Sequence, residues 1–494
     1  MSVHLPVLQV VVPLLSAPLC ALIPDGRRAW SFSLVVAAIA ATISVLLLGQ
    51  VVEQGPISYA LGGWAAPWGI EYRIDFANAL VMLLVSMMGL ITLLFARDSV
   101  EREIPRRRLY LFYTAWNLSL TGLLGMCATG DAFNVFVFLE IASLSGYTLI
   151  SMARNRSALS AAFRYLIMGT VGGTFFLIGI GLMYGVTGTL NMADLGSRLP
   201  AMSDNLTVRM AYAFITVGIG LKTAIFPLHA WLPRAYATAP SAVTVFIAST
   251  STKVSLYIWI RFTFDLFGMP LVFEQMFAGP VLAGLSCVGI ALGSLAALYQ
   301  RDVKLVLAYS SVAQVGYMTL GVSLASIQGV SAAFVHLFNH ALMKGALFVA
   351  VGCVVYRVGV SDISAFRGIG RRMPFTMAAF SLAGLSLIGV PFTAGFVSKW
   401  LLLDAVFEAG YPILAVFLVL TSLIALAYVG RIIEVAYFHA PTPSTFTDRA
   451  REAPALMQAA LWLLVLANLY FGLDTGLSAG IASDAARALL EQRP

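Results

Sequence analysis

Charge is scarce in this chain. Asp, Glu, Lys and Arg make up 11% of its 494 residues and hydrophobic residues 60%, where an ordinary globular domain carries about 25% charge. A water-soluble fold cannot cover that much apolar surface. The composition therefore excludes the three or so soluble domains that the length alone would suggest.

Other absences narrow the class further. Cysteine is limited to Cys20, Cys127, Cys287 and Cys353. All four fall in apolar runs without metal-ligand spacing, which reads as small buried hydrophobes, not disulfides or a metal site. There is no Gly-rich phosphate loop. The longest loops, about 50–74 and 186–209, leave no room for a nucleotide-driven motor. The net charge of +7 is scattered over loops and not clustered, which excludes nucleic acid as a partner. The alternating segments of a transmembrane β-barrel are also missing.

The chain has instead fourteen apolar segments, roughly 4–23, 30–49, 75–96, 109–129, 132–152, 159–185, 210–231, 240–262, 275–299, 305–324, 327–356, 374–406, 411–436 and 454–474. Each can cross a hydrocarbon core of about 30 Å as a helix. The first lacks the basic n-region and cleavage site of a signal peptide. The fold class is an all-α integral membrane protein.

Loop charge sets the expected orientation. With the N-terminus outside, the inside loops hold Arg27, Arg28, the run from Arg97 to Arg108, Arg154, Arg156, Arg234, Arg301, Lys304, Arg357, Arg367, Arg371, Arg372, Arg449 and Arg451. The outside segments hold only Arg73, Arg198, Arg209, Arg487 and Arg493. Positive loops stay in the cytoplasm, so both termini are expected outside a cell membrane.

Lysine is the scarcest cation, and its placement is informative. Four of the five lysines, Lys222, Lys253, Lys344 and Lys399, lie inside apolar segments; Lys304 opens one. Arginine keeps its proton at any reachable pH, whereas a buried lysine can release it. An ionisable group near mid-membrane costs at least ~2.5 kcal/mol and is normally kept for function. One lysine can snorkel or form a static pair; four suit a proton relay. Glu140 adds an acid about nine residues into the fifth segment, with no cation near it in sequence. Its partner must come from another helix, and moving that partner away would free a proton. His336, His340 and Lys344 are spaced by four and form one helical stripe. Neutral imidazoles pass protons near pH 7. A metal at the two histidines lacks a third ligand, so no metal and no cofactor are expected. His229 reads as a packing or capping residue near the inner end of its segment.

Two segments are interrupted. Lys222 is followed by Pro227, Pro233 and Pro240; Pro391 and Gly395 precede Lys399. Proline opens a helix, and in a membrane freed backbone survives only where protein or water satisfies it. Two broken spans, five segments apart and each with a lysine, fit inverted repeats around an ion path. The pairing sets segments four to eight against nine to thirteen.

At these residues the sequence resembles a known family. The stretch GLKTAIFPLHAWLPRAYATAPSAVTVFIASTSTKVSLYIWIR, Gly220 to Arg261, is similar to the signature of the antiporter-like membrane subunits. These include the large subunits of Mrp-type cation/proton antiporters and the proton-pumping subunits of respiratory complex I. RDVKLVLAYSSVAQVGY, HLFNHALMKGALF and GVPFTAGFVSKW match as well, and the resemblance covers roughly residues 70–435. It implies a fold of about fourteen helices with two inverted five-helix repeats, each with a discontinuous helix. The divisions would be 1–108 for helices 1–3, 109–262 and 275–436 for the repeats, and 437–494 for the last helix and a short tail. It implies that Glu140 is the acid of the fifth helix and Lys222 its modulated partner. Lys253 would be the bridging lysine, His336, His340 and Lys344 the eleventh-helix relay, and Lys399 the terminal group. Tyr236 stands where many relatives carry histidine.

The chain ends without a long lateral helix and has lysine at position 399, which favours the Mrp D-type subunit within the family. The expected activity is proton translocation in a multisubunit Na+(K+)/H+ antiporter, with other membrane subunits as partners and protons and monovalent cations as cargo. The alternative is a non-redox pump subunit of a redox-driven complex, of the complex I or membrane-bound hydrogenase type.

Overall fold

The computed structural model of the chain describes residues 2–440 and 451–491. Arg449 and Arg493, two of the cations counted above, lie outside the described residues. The fold is helical, as hydrocarbon requires: only helices and closed barrels satisfy every backbone amide there.

The first helices are α1 (Leu5–Ala21), α2 (Gly26–Gln54), α3 (Phe76–Glu103), α4 (Leu109–Ala128), α5 (Ala132–Ser151) and α6 (Arg156–Thr187). A short α7 (Met192–Arg198) follows, then the half-helices α8 (Leu206–Thr223) and α9 (Leu232–Thr238). Next come α10 (Ser241–Ser249) and α11 (Ser251–Arg261), α12 (Ala278–Tyr299), α13 (Val303–Ser323) and α14 (Ile327–Val358). A second pair of half-helices, α15 (Pro374–Ile388) and α16 (Ala394–Glu408), precedes α17 (Pro412–Phe438), α18 (Ala455–Leu473) and α19 (Gly476–Glu491). Among the described residues, ten stretches are long and apolar enough to cross a membrane alone, with Ser241–Phe267 counted as one. Helices α1 and α4 and the two broken pairs complete fourteen crossings. The apolar segment 374–406 is thus two half-helices.

The connections gather on two faces. On the arginine-rich face, Arg154 N–H donates to the Glu103 carbonyl at 3.1 Å, and Asp302 and Asp362 form a β-bridge. On the opposite face, β1 (Ile57–Ala60) and β2 (Glu71–Ile74) form an antiparallel hairpin with Ile57 opposite Ile74. The loops 50–74 and 186–209 are therefore structured, by this hairpin and by α7. The expected short tail is the helix α19. Its buried residues Ser478, Ile481, Ala482, Ala485, Ala486 and Leu489 keep helical spacing on one side, and it packs against α3 and α14.

Two five-helix units repeat the same geometry in inverted orientation. Asp131 caps α5 and forms a β-bridge to Asn191 after α6; Asp302 caps α13 and bridges to Asp362 after α14, on the opposite face. Helices α6 and α14 each have 32 residues and end on left-handed glycines, Gly188 and Gly359. The next helix of each unit stops midway at a left-handed residue, Ala224 (φ +62°) or Gly389 (φ +95°). In both, the stop residue's N–H donates to two carbonyls, of Gly220 and Leu221 or of Leu385 and Ser386.

Candidate functional site

The interruptions set where the lysines go. A helix end leaves carbonyls unpaired and carries partial negative charge, which favours a cation. Lys222 is the penultimate residue of α8, just before the turn that holds Pro227. Its Nζ lies 3.5 Å from Glu140 Oε1, with side-chain exposures of 4% and 24%. It donates to Ser143 Oγ at 2.8 Å and Tyr147 OH at 3.2 Å, both on α5. The partner of Glu140 thus comes from a separate helix, as the sequence requires. Two α6 glycines make room for the pair. A Cβ on Gly173 would sit 2.3 Å from Glu140 Oε1, and one on Gly169 would sit 1.7 Å from Tyr147 OH.

Lys253 lies beside a second interruption, the kink at Thr250 between α10 and α11. Its Nζ donates to the Ala248 carbonyl at 2.5 Å and to Thr252 Oγ at 3.3 Å. Lys399, in α16, reaches back across the other break. It donates to the carbonyls of Leu387 (3.1 Å) and Ile388 (2.9 Å) at the end of α15, and to Ser422 Oγ on α17 (3.0 Å). That break falls between Gly389 and Thr393, with Pro391 inside it. Gly395, expected as part of the break, lies past it in the first turn of α16. It must be glycine because a Cβ there would meet the Ser386 carbonyl at 1.8 Å.

His336, His340 and Lys344 form the expected stripe on α14 and are buried to 1% or less. The two imidazoles lie nearly parallel, 5.9 Å apart. His336 Nδ1 is 2.8 Å from Ser398 Oγ and its Nε2 2.8 Å from Gln314 Oε1. Both ring nitrogens of His336 are therefore held by side chains of other helices, Ser398 on α16 and Gln314 on α13. Both nitrogens of His340 are buried without a protein hydrogen bond. Lys344 donates to the Leu307 carbonyl at 2.7 Å and to Ser310 Oγ. His229 lies in the turn between α8 and α9, stacked on Phe226 at 5.4 Å.

Several polar residues are not singled out by the sequence pattern. Ser310, Gln314 and Tyr317 form a seam along α13 at helical spacing. Ser310 meets Lys344 and Gln314 meets His336, while the Tyr317 ring lies 5.1 Å from Lys399 Nζ. Their signal is the polar period inside an apolar span, visible in RDVKLVLAYSSVAQVGY. Tyr147, Tyr165, Trp231 and Tyr236 form a ring file from the Lys222 pair toward α10. Their successive centroids are 4.5, 3.9 and 6.4 Å apart. It comes from separate elements, so no local pattern announces it. The site thus holds Lys222, Lys253, His336, Lys344 and Lys399 buried and hydrogen-bonded to hydroxyls, an amide or freed carbonyls, with His340 buried and unbonded among them.

Comparison with known proteins agrees with this geometry. A family model described as NADH:quinone oxidoreductase/Mrp antiporter, TM, matches residues 129–425. The chain is 41% identical over 492 residues to NADH-quinone oxidoreductase subunit N of Desulforudis audaxviator (strain MP104C), covering 96% of each. It is 29% identical over 485 residues to the D-type subunit of the Na(+)/H(+) antiporter of Bacillus subtilis (strain 168), covering 98% of this chain and 97% of that one. A chain in the structure of the Mrp complex from Dietzia sp. DQ12-45-1b superposes with a TM-score of 0.91 at 26% identity, over 99% of this chain and 98% of that one. The chain belongs to the NADH:quinone oxidoreductase/Mrp antiporter family of transmembrane subunits.

Proposed function

We propose that the chain is the proton-translocating subunit of a multisubunit Mrp-type Na+(K+)/H+ antiporter, with its arginine-rich face inside the cell. Protons pass along Lys222, Lys253, the His336–His340–Lys344 stripe and Lys399. Movement at the Glu140–Lys222 pair gates the transfer. The chain is a transport subunit and performs no chemistry of its own.

The observation that carries this reading is the placement of Glu140. It lies on the perimeter stripe of α5 with Phe133, Val137 and Leu144, which are 44%, 36% and 53% exposed. A carboxylate on that surface at mid-span is costly against lipid. A neighbouring membrane subunit placed there would cover it and could move it relative to Lys222. The likeness to Mrp subunits over the full length supports the antiporter.

A second reading is favoured by the relative at 41% identity, named as a subunit of NADH-quinone oxidoreductase. There the same relay would be driven by electron transfer on partner chains of a redox-driven complex. Mass spectrometry of the complex after gentle detergent extraction separates the two. Small hydrophobic subunits with a second antiporter-like chain support the antiporter; iron–sulfur, flavin or nickel subunits replace it with the redox-driven pump.

A further inference from the structure

On the arginine-rich face a cleft of about 550 Å³ opens between the ends of α3, α9, α13 and α14. Its most buried cation is Lys304, 4% exposed and the second residue of α13. The ammonium donates one hydrogen bond, to the Ala239 carbonyl at the end of α9, at 3.3 Å. Arg102, Arg154 and Arg234 also line the cleft and are exposed. Arg102 and Arg154 donate to the backbone carbonyls of Tyr356 and Ile104. Among the described residues none of the four cations has a carboxylate in ion-pair contact.

The acids beside them are already engaged. Glu103 accepts from Ser99 Oγ and from the N–H and hydroxyl of Ser241. Asp302 accepts from Leu305 N–H and Ser361 Oγ, and Asp362 from Ser364 N–H. Asp302 caps this helix end, yet the lining still sets four cations against three carboxylates, and Lys304 is buried with no carboxylate in ion-pair contact, a net positive charge that an anion would balance. The cleft lies among inner helices: the spans of α13 and α14 are 89% and 83% buried. A ligand therefore reaches it from water more readily than from the lipid perimeter.

We propose that this cleft binds a phosphate-bearing anion from the aqueous phase on the arginine-rich side. Lys304 supplies a point charge at depth, and the three guanidinium groups offer the planar forks that suit tetrahedral oxyanions. Bound there, the anion ties the half-helix α9 to α13 and α14. The proposal rests on the fold and not on the relay.

The test uses the complete complex carrying Thr238→Cys, a residue that lines the cleft. The rate of labelling by a membrane-impermeant thiol reagent is measured in inorganic phosphate and in chloride of equal ionic strength. Phosphate is expected to slow labelling on the order of tenfold, the factor one charge-assisted hydrogen bond supplies. Lys304→Gln should abolish the protection and Lys304→Arg should keep it. If Lys304→Gln fails to assemble, Arg234→Gln, at an exposed position, should weaken it. Protection only in phosphatidylglycerol vesicles, without added phosphate, would overturn the aqueous source and make a lipid headgroup the ligand. Equal labelling in phosphate, chloride and vesicles, or protection that survives Lys304→Gln, would overturn the site.

Discussion

Glu140→Gln removes the charge from the Glu140–Lys222 pair while keeping its shape. At the observed 3.5 Å, an effective dielectric of about 20 gives an attraction of about 5 kcal/mol. Glu140 is 24% exposed in the isolated chain, so solvent screening leaves about 3 kcal/mol, a factor on the order of 100 in how readily Lys222 holds its charge. Lys222 would keep its bonds to Ser143 and Tyr147, so insertion should survive. The assay is cation-driven proton flux in everted vesicles, read with a pH-sensitive dye and normalised to subunit content by immunoblot. Flux should fall by roughly 100-fold. Gly173→Ala gives a steric counterpart: its Cβ would lie 2.3 Å from Glu140 Oε1, so it should displace the carboxylate and lower flux without changing any charge. The double variant Glu140→Gln/Lys222→Gln should be little worse than either single one, because each already breaks the same unit. Near-normal flux in both single variants at normal content would refute the gating role.

Three further outcomes follow from the packing. Gln314→Leu leaves His336 Nε2 unpaired in a buried site, which should cost about 1–3 kcal/mol of stability and slow flux; the melting temperature of the purified complex and vesicle flux check both. Ser422→Ala removes one of the three acceptors of Lys399 and should slow flux with little effect on assembly, read by the same dye assay and a native gel. Gly395→Ala places a Cβ 1.8 Å from the Ser386 carbonyl; overpacking against backbone should cost about 1–3 kcal/mol, seen as reduced complex on a native gel.

Much of the fold is legible in the sequence because lipid enforces simple rules. Long apolar runs mark the crossings, and the prolines near Lys222 and Lys399 locate both broken spans. That the Glu140 partner comes from another helix follows from the absence of a local cation; its identity as Lys222 is implied by the family resemblance. What stays hidden depends on close packing. Gly395 reads like a helix breaker, yet its role is contact with α15, and the left-handed turn is made by Gly389. The hairpin around Trp64 and Trp68 is too short and too rich in Gly and Pro to show strand alternation. The contacts of Gln314 with His336 and of Ser422 with Lys399 join residues 22 and 23 apart in sequence, on separate helices. Helix α19 also stays hidden: the sequence reads there as a short tail, and the small-residue stripe that packs it emerges only in the structure.

The proposed proton path is continuous through the two repeats, and Lys253 on α11 is the lysine proposed to link Lys222 to the α14 stripe. The most direct measurement is cation-driven proton flux in proteoliposomes of the complete complex with Lys253→Met. The path predicts that flux is lost while the complex assembles at wild-type yield. Wild-type flux through that variant would contradict it.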